Sequence, residues 1–186
     1  MIRASAKSSA LRLRKSGFTL VELMVVVAVL AALLSIGGPS FMEWIQNSRI
    51  RTAAESLQNG LQVARAEAVR RNTNVEFILQ ANGGWLVQLQ QGAVFVQQSA
   101  GEGGAKVTVA STPGGSTTLT YNGMGRVNTS NGDGTAPLTQ LAVDLPESVL
   151  PAAKSRDLQL AVGVGGEVRM CDPNVEDDDL LDPRRC

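Results

Sequence analysis

The sequence predicts an α+β protein: one long N-terminal helix, part transmembrane and part amphipathic, packed on a mostly antiparallel β-sheet domain. Three observations carry that expectation. Residues 18–37 form an apolar run in which Glu22 is the single charged residue. Apolar side chains then recur every three to five positions until about residue 72, as on one face of a helix. Beyond it the period falls to two, with Gly- and Asn-rich breaks between short segments, as in strands joined by turns.

Twenty mostly apolar residues suffice to cross a bilayer core as a helix, so the chain is expected to enter a membrane at some stage. Ahead of that run, residues 1–17 carry Arg3, Lys7, Arg12, Arg14 and Lys15 and no acid. Such an asymmetry keeps the N-terminus cytoplasmic and sends the rest outward, to the periplasm or beyond. An ordinary secretory signal has its small-residue cleavage site after the apolar stretch; here Gly17-Phe18 precedes it, so a cut there would remove only the basic leader. The product would keep twelve basic against seventeen acidic residues, a formal net charge of −5. The expected organisation is a cleaved leader at 1–17, a transmembrane half-helix at 18–45 and one periplasmic globular domain at 46–186.

Gly37-Gly38-Pro39 is a point where a helix is expected to kink rather than run straight. From residue 41 to about 72, Ile45, Ile50, Ala54, Leu57, Leu61, Ala64 and Ala68 form the apolar stripe, while Glu43, Arg49, Arg51, Glu55, Arg65 and Arg70 fall largely elsewhere. Val75-Glu76-Phe77-Ile78-Leu79 and Trp85-Leu86-Val87-Gln88-Leu89 read as a hairpin around Asn82-Gly83-Gly84. Further strands are expected at 94–96, 106–110, 117–121, 138–145, 158–164 and 167–170, separated by glycine-rich loops at 101–104, 113–115 and 128–134.

Composition bears on function mainly by exclusion. The chain has no histidine, which removes the commonest general base and metal ligand together, and no nucleophile-and-base constellation stands in for it. Neither an enzyme nor a cofactor is expected, nor a small-molecule substrate. The cysteines, Cys171 and Cys186, both lie near the C-terminus and are expected to bond to each other in an oxidising compartment. Closing about 15 residues is worth about 3 kcal/mol in the chain-entropy model. Glu176, Asp177, Asp178, Asp179 and Asp182 between them lack the alternating spacing and central Gly of a calcium loop, and read as a solvated acidic face with no metal. Glu22 costs about 2 to 3 kcal/mol inside an apolar span unless a partner neutralises it or it reaches the membrane surface.

The octet Lys15-Ser16-Gly17-Phe18-Thr19-Leu20-Val21-Glu22 resembles the N-terminus of type IV pilin-like proteins. The resemblance implies that prepilin peptidase cuts after Gly17, that the new N-terminal Phe18 is N-methylated, and that Glu22 attracts the positive amine of the preceding subunit as a filament assembles. Residues 61–72, with Ala64-Arg65-Ala66-Glu67-Ala68 at their centre, resemble the first-helix end of the H-type pseudopilin and FimT/FimU minor pilin family. The tail Arg169-Met170-Cys171-Asp172-Pro173 … Asp182-Pro183-Arg184-Arg185-Cys186 resembles the disulfide-closed tail of FimU-like minor pilins. Together these likenesses imply an inner-membrane prepilin that becomes a minor pilin of a type IV pilus, at the tip, helping to initiate assembly with other minor pilins and the major pilin. Two alternatives stay open: an H-type pseudopilin of type II secretion, and a FimT-like DNA-binding minor pilin. For DNA the candidates are Arg184 and Arg185, helped by Arg169, Arg126 and Lys154; the acids beside them oppose a positive field, and the glycine-arginine-x-arginine pattern of DNA-binding members is absent.

Overall fold

Helix α1, Leu20–Arg71, has a defined reason to begin and to end where it does. At its start the Thr19 hydroxyl accepts the Glu22 backbone N–H at 3.2 Å, an N-cap bond to the N3 position. At its end Asn72 turns left-handed (φ 48°), while Thr73 N–H bonds to the Ala68 carbonyl and Asn72 N–H to that of Val69, both at 3.2 Å. That bond pair is a Schellman closure, satisfying carbonyls the helix would otherwise leave open. The computed structural model describes residues 17–90, 95–101, 106–175, 182 and 184–186. The chain divides between Pro39 and Ser40 into two units, the second of which takes in Phe41 and Trp44.

In that second unit α1 buries Ile50, Ala53, Ala54, Leu57, Leu61, Ala64 and Ala68, the stripe its period dictates. Its small residues allow close approach to the strands. A Cβ on Gly60 would lie 2.6 Å from a Trp85 ring atom and 2.9 Å from Phe77. Those two rings stack at 6.3 Å between centroids, and the Trp85 indole N–H donates to Ser56 Oγ at 3.1 Å.

Among the described residues eight strands come after it: β1 Val75–Leu79, β2 Trp85–Leu89, β3 Phe95–Ser99, β4 Thr108–Thr112, β5 Thr118–Tyr121, β6 Gln140–Asp144, β7 Leu158–Val162 and β8 Val168–Cys171. They form two antiparallel four-stranded sheets, ordered β3-β2-β1-β5 and β4-β6-β7-β8. The expected hairpin is present, with Asn82 (φ 57°) and Gly83 (φ 72°) both left-handed, the conformation an Asn-Gly turn supplies. The expected 106–110 strand instead starts at Thr108, where its ladder with β6 begins. Phe77, Val87, Leu119, Leu141, Val143 and Leu160 close the core from the strand side.

The outer edge of β5 is covered by loop 127–138. Asn128 and Leu138 donate their N–H groups to the Thr120 and Thr118 carbonyls at 2.9 and 3.0 Å. Buried Asn131 donates to the carbonyls of Thr118 and Ala136 and to the Thr135 hydroxyl, and its side-chain oxygen accepts from Thr120. A buried amide with its bonds made holds a glycine-rich loop in one conformation and blunts a sheet edge.

Candidate functional site

Three groups of residues carry the candidate functional features: the N-terminal segment, the end of α1 and the closed C-terminal tail. In the first, every described side chain of residues 18–35 is exposed, Phe18 at 84% and Leu34 at 71%. A helix apolar on all sides has no polar face to give to water. Glu22 sits in the first turn and has no ion-pair partner among the described residues. Its position in Thr19-Leu20-Val21-Glu22 is also that of the acid in a capping box, a local signal that spacing alone carries and that the reading of Glu22 as a membrane charge overlooks. Gly17 precedes the helix, and a Cβ there would meet nothing within 4 Å. Among the described residues no single helix is long and apolar enough to cross a membrane; Leu20–Ser35 and Ser40–Arg71 meet that requirement by length and composition only together.

At the far end of α1 the two charges of the 64–68 motif have separate tasks. Arg65 Nε donates to the Gly125 carbonyl at 3.1 Å and its Nη2 to the Gly165 carbonyl at 3.2 Å. One turn follows β5 and the other joins β7 to β8, so a single guanidinium ties the helix to a turn from each sheet. The two turns are pressed together: a Cβ on Gly166 (φ 83°) would lie 2.0 Å from the Gly125 carbonyl oxygen. Nearby Tyr121 has a buried hydroxyl with no hydrogen-bond partner among the described residues, and burial pushes its pKa up against the opposing charge of Arg65. Glu67 instead takes Arg70 at 2.7 and 2.9 Å and Arg71 at 2.7 Å. Hydrogen bonds from those guanidiniums hold its carboxyl down at about 2.

The tail is closed as expected. Cys171, at the end of β8, bonds Cys186 with S–S 2.12 Å and Cα–Cα 5.0 Å. Asp172 N–H donates to the Arg184 carbonyl at 2.7 Å, and Asp172 bridges in parallel to Arg185. The Arg169 guanidinium donates to the Arg185 carbonyl at 2.6 Å. Arg184 is engaged by Asp182, at 2.6 Å from Nη2 and 3.1 Å from Nε, which holds the Asp182 carboxyl down at about 2.

Of the five cations weighed for DNA, Arg184 and Lys154 are each paired with an acid. Arg169, Arg184 and Arg185 share the tail, where Asp182 takes the Arg184 charge. Lys154 pairs with Glu43 at the other end of the α1 stripe, and Arg126 lies in the turn after β5. The acids Glu176, Asp177, Asp178 and Asp179 lie outside the described residues, as do leader residues 1–16, Val94 and Glu102-Gly103-Gly104.

A family model described as type II transport protein GspH matches residues 53–166. The chain belongs to the GspH family. A second model, the prokaryotic N-terminal methylation motif, matches residues 12–38, so both the start and the body of the chain carry pilin-type signatures. The GspH match begins on the buried stripe of α1 and ends at the Gly166 turn, leaving β8 and the disulfide tail outside it. Among solved structures the type IV minor pilin FimU of Pseudomonas aeruginosa PAO1 is similar in two crystal forms. The first has a TM-score of 0.51 at 17% identity over 68% of this chain and 91% of that one. The second has 0.48 at 17% identity over 64% and 90%. The first match shows a shared fold, a long N-terminal helix on antiparallel sheets. Comparison with curated proteins finds no significant match. The two family models make the chain a pseudopilin-like protein of the GspH family, and with FimU it shares the fold.

Proposed function

We propose that this GspH-family protein is a minor pilin: an inner-membrane prepilin, cut after Gly17 and N-methylated at Phe18, that enters a type IV pilus near its tip and helps to start assembly. The observation that carries the reading is the exposed apolar segment at 18–35 with lone Glu22 in its first turn. Lipid satisfies such a surface before assembly and neighbouring pilin helices satisfy it afterwards. Glu22 and the amine of the preceding subunit are each costly alone in an apolar setting and less so when joined, so pairing sets register. Gly17 supports the processing step, because the fold has room for a side chain there and the requirement for glycine lies with the peptidase. The Cys171–Cys186 bond holds the end of the chain to β8, beside which other pilins would pack.

The test is to shear surface filaments from cells carrying an epitope-tagged chain. Recovery of the processed chain in the pilus fraction, with pilus number falling when its gene is removed, is the expected result. A second reading, an H-type pseudopilin of type II secretion, is favoured by the description of the matching family model. The same cells decide between them: unchanged piliation with lost export of secreted proteins would replace the first reading with the second. DNA capture gains nothing from the tail, where Asp182 occupies Arg184.

A further inference from the structure

We propose that the end of the globular unit formed by Phe41, Met42, Trp44 and loop 151–156 rests on the outer surface of a phospholipid bilayer before assembly. The rings would lie in the headgroup boundary and the basic groups against anionic lipid phosphates. The inference rests on the membrane-anchored reading above. Residues 23–42, between Glu22 and Glu43, include no charged residue. By charge, the apolar stretch therefore ends at Met42 rather than at Gly37.

What stands at that end has the chemistry of an interface. Phe41, Met42 and Trp44 are 60%, 55% and 65% exposed, and the Phe41 and Trp44 rings stack at 5.9 Å. Among the described side chains elsewhere in the unit, the aromatic Phe77, Trp85 and Tyr121 are buried. Rings with an apolar body and a polar edge suit the headgroup boundary better than either water or hydrocarbon.

The adjoining loop supplies an exposed cation, Arg156, beside Asp157, which keeps its charge. The Asn47 amide donates to the Lys154 carbonyl at 3.0 Å, and its side-chain oxygen accepts the Arg156 N–H at 2.8 Å, which fastens loop 151–156 beside the aromatic pair. Lys154 pairs with Glu43, the acid nearest the rings. Asp157 is taken up by Ser155 and Asn174. Arg156 is exposed and has no ion-pair partner among the described residues. Exposed rings beside an exposed arginine fit a headgroup boundary that includes anionic lipid.

The test reconstitutes the full chain into phosphatidylcholine–phosphatidylglycerol vesicles whose acyl chains are brominated at shallow or deep positions. Trp85 is 2% exposed, so lipid quenching reports Trp44. Expected are flotation with the vesicles, loss of Trp44 emission to shallow but not deep bromines, disappearance of that quenching in Trp44→Phe, and its reduction in Arg156→Glu only when phosphatidylglycerol is present. Flotation with Trp44 quenched by aqueous iodide and not by lipid would overturn the inference and leave the anchor standing. Shielding of Trp44 from iodide only at high protein-to-lipid ratio would assign the patch to a second copy and overturn it as well. Failure to float would overturn the anchor and the inference with it.

Discussion

Along α1, residues 18–35 expose every described side chain, while Ile50, Leu57, Leu61, Ala64 and Ala68 farther along the same helix are wholly covered. Both stretches are rich in apolar residues; what differs is their arrangement. The second has a stripe with charges on its back, so one partner, the protein's own strands, satisfies it. The first is apolar all round, and only lipid or a bundle of like helices can satisfy all its sides. The distribution of hydrophobic residues around a helix, more than their number, tells whether the partner lies inside the chain or beyond it.

The sharpest way to break this comparison is to cut back one side chain in each stretch. Leu57→Ala or Leu61→Ala should destabilise the globular unit by about 2–5 kcal/mol, as buried leucine truncations do. Leu30→Ala should leave its denaturant midpoint in detergent unchanged while lowering recovery in sheared filaments. Equal loss of stability from both would mean that the first stretch also packs within the chain.

Next in size is the tail. Cys186→Ser should lower stability by about 3 kcal/mol in the chain-entropy model, read as a shift in the urea midpoint that reductant reproduces in the wild type. A smaller effect is expected at Arg65. Arg65→Met removes two bonds to glycine carbonyls and should cost about 1–2 kcal/mol, while hydrogen exchange rises at the Asn122–Gly125 and Gly163–Glu167 turns together. Protection lost at one turn alone would show that Arg65 does not link them.

The smallest effect belongs to Glu67. Its carboxyl titrates near 2 in the fold against an ordinary 4.5, so its ion pairs stabilise the fold above about 4.5 and that contribution is lost as pH falls toward 2. Arg70 is largely solvated and Arg71 partly so, and Glu67→Gln should cost only about 0.5 kcal/mol at neutral pH. The variant and wild-type stabilities should converge in acid; a gap that widens there would contradict the pairing.

Much of the fold was legible because it is periodic. The stripe on α1, the Asn-Gly turn and most strand positions can be read from spacing alone. The division into two sheets was not legible, since a period of two marks a strand without saying which neighbour it joins; β4 and β5 are consecutive yet lie in different sheets. The start of β4 at Thr108 is set by its partner β6, which no local pattern reveals. The role of Arg65 was hidden for the same reason, because its acceptors are main-chain carbonyls 60 and 100 residues downstream. The Asp182–Arg184 pair, by contrast, spans two residues and was open to a reading of local charge spacing. The Cys171–Cys186 bond could be expected from there being two cysteines and an oxidising compartment.

The central claim is that the apolar segment stays on the working protein as an interface to be covered by others. N-terminal mass spectrometry of the chain isolated from membranes, with and without the prepilin peptidase, tests it most directly. The account predicts a chain beginning at methylated Phe18 when the peptidase is present and an intact leader when it is absent. A chain cut after the apolar run, with residues 18–36 gone, would contradict it.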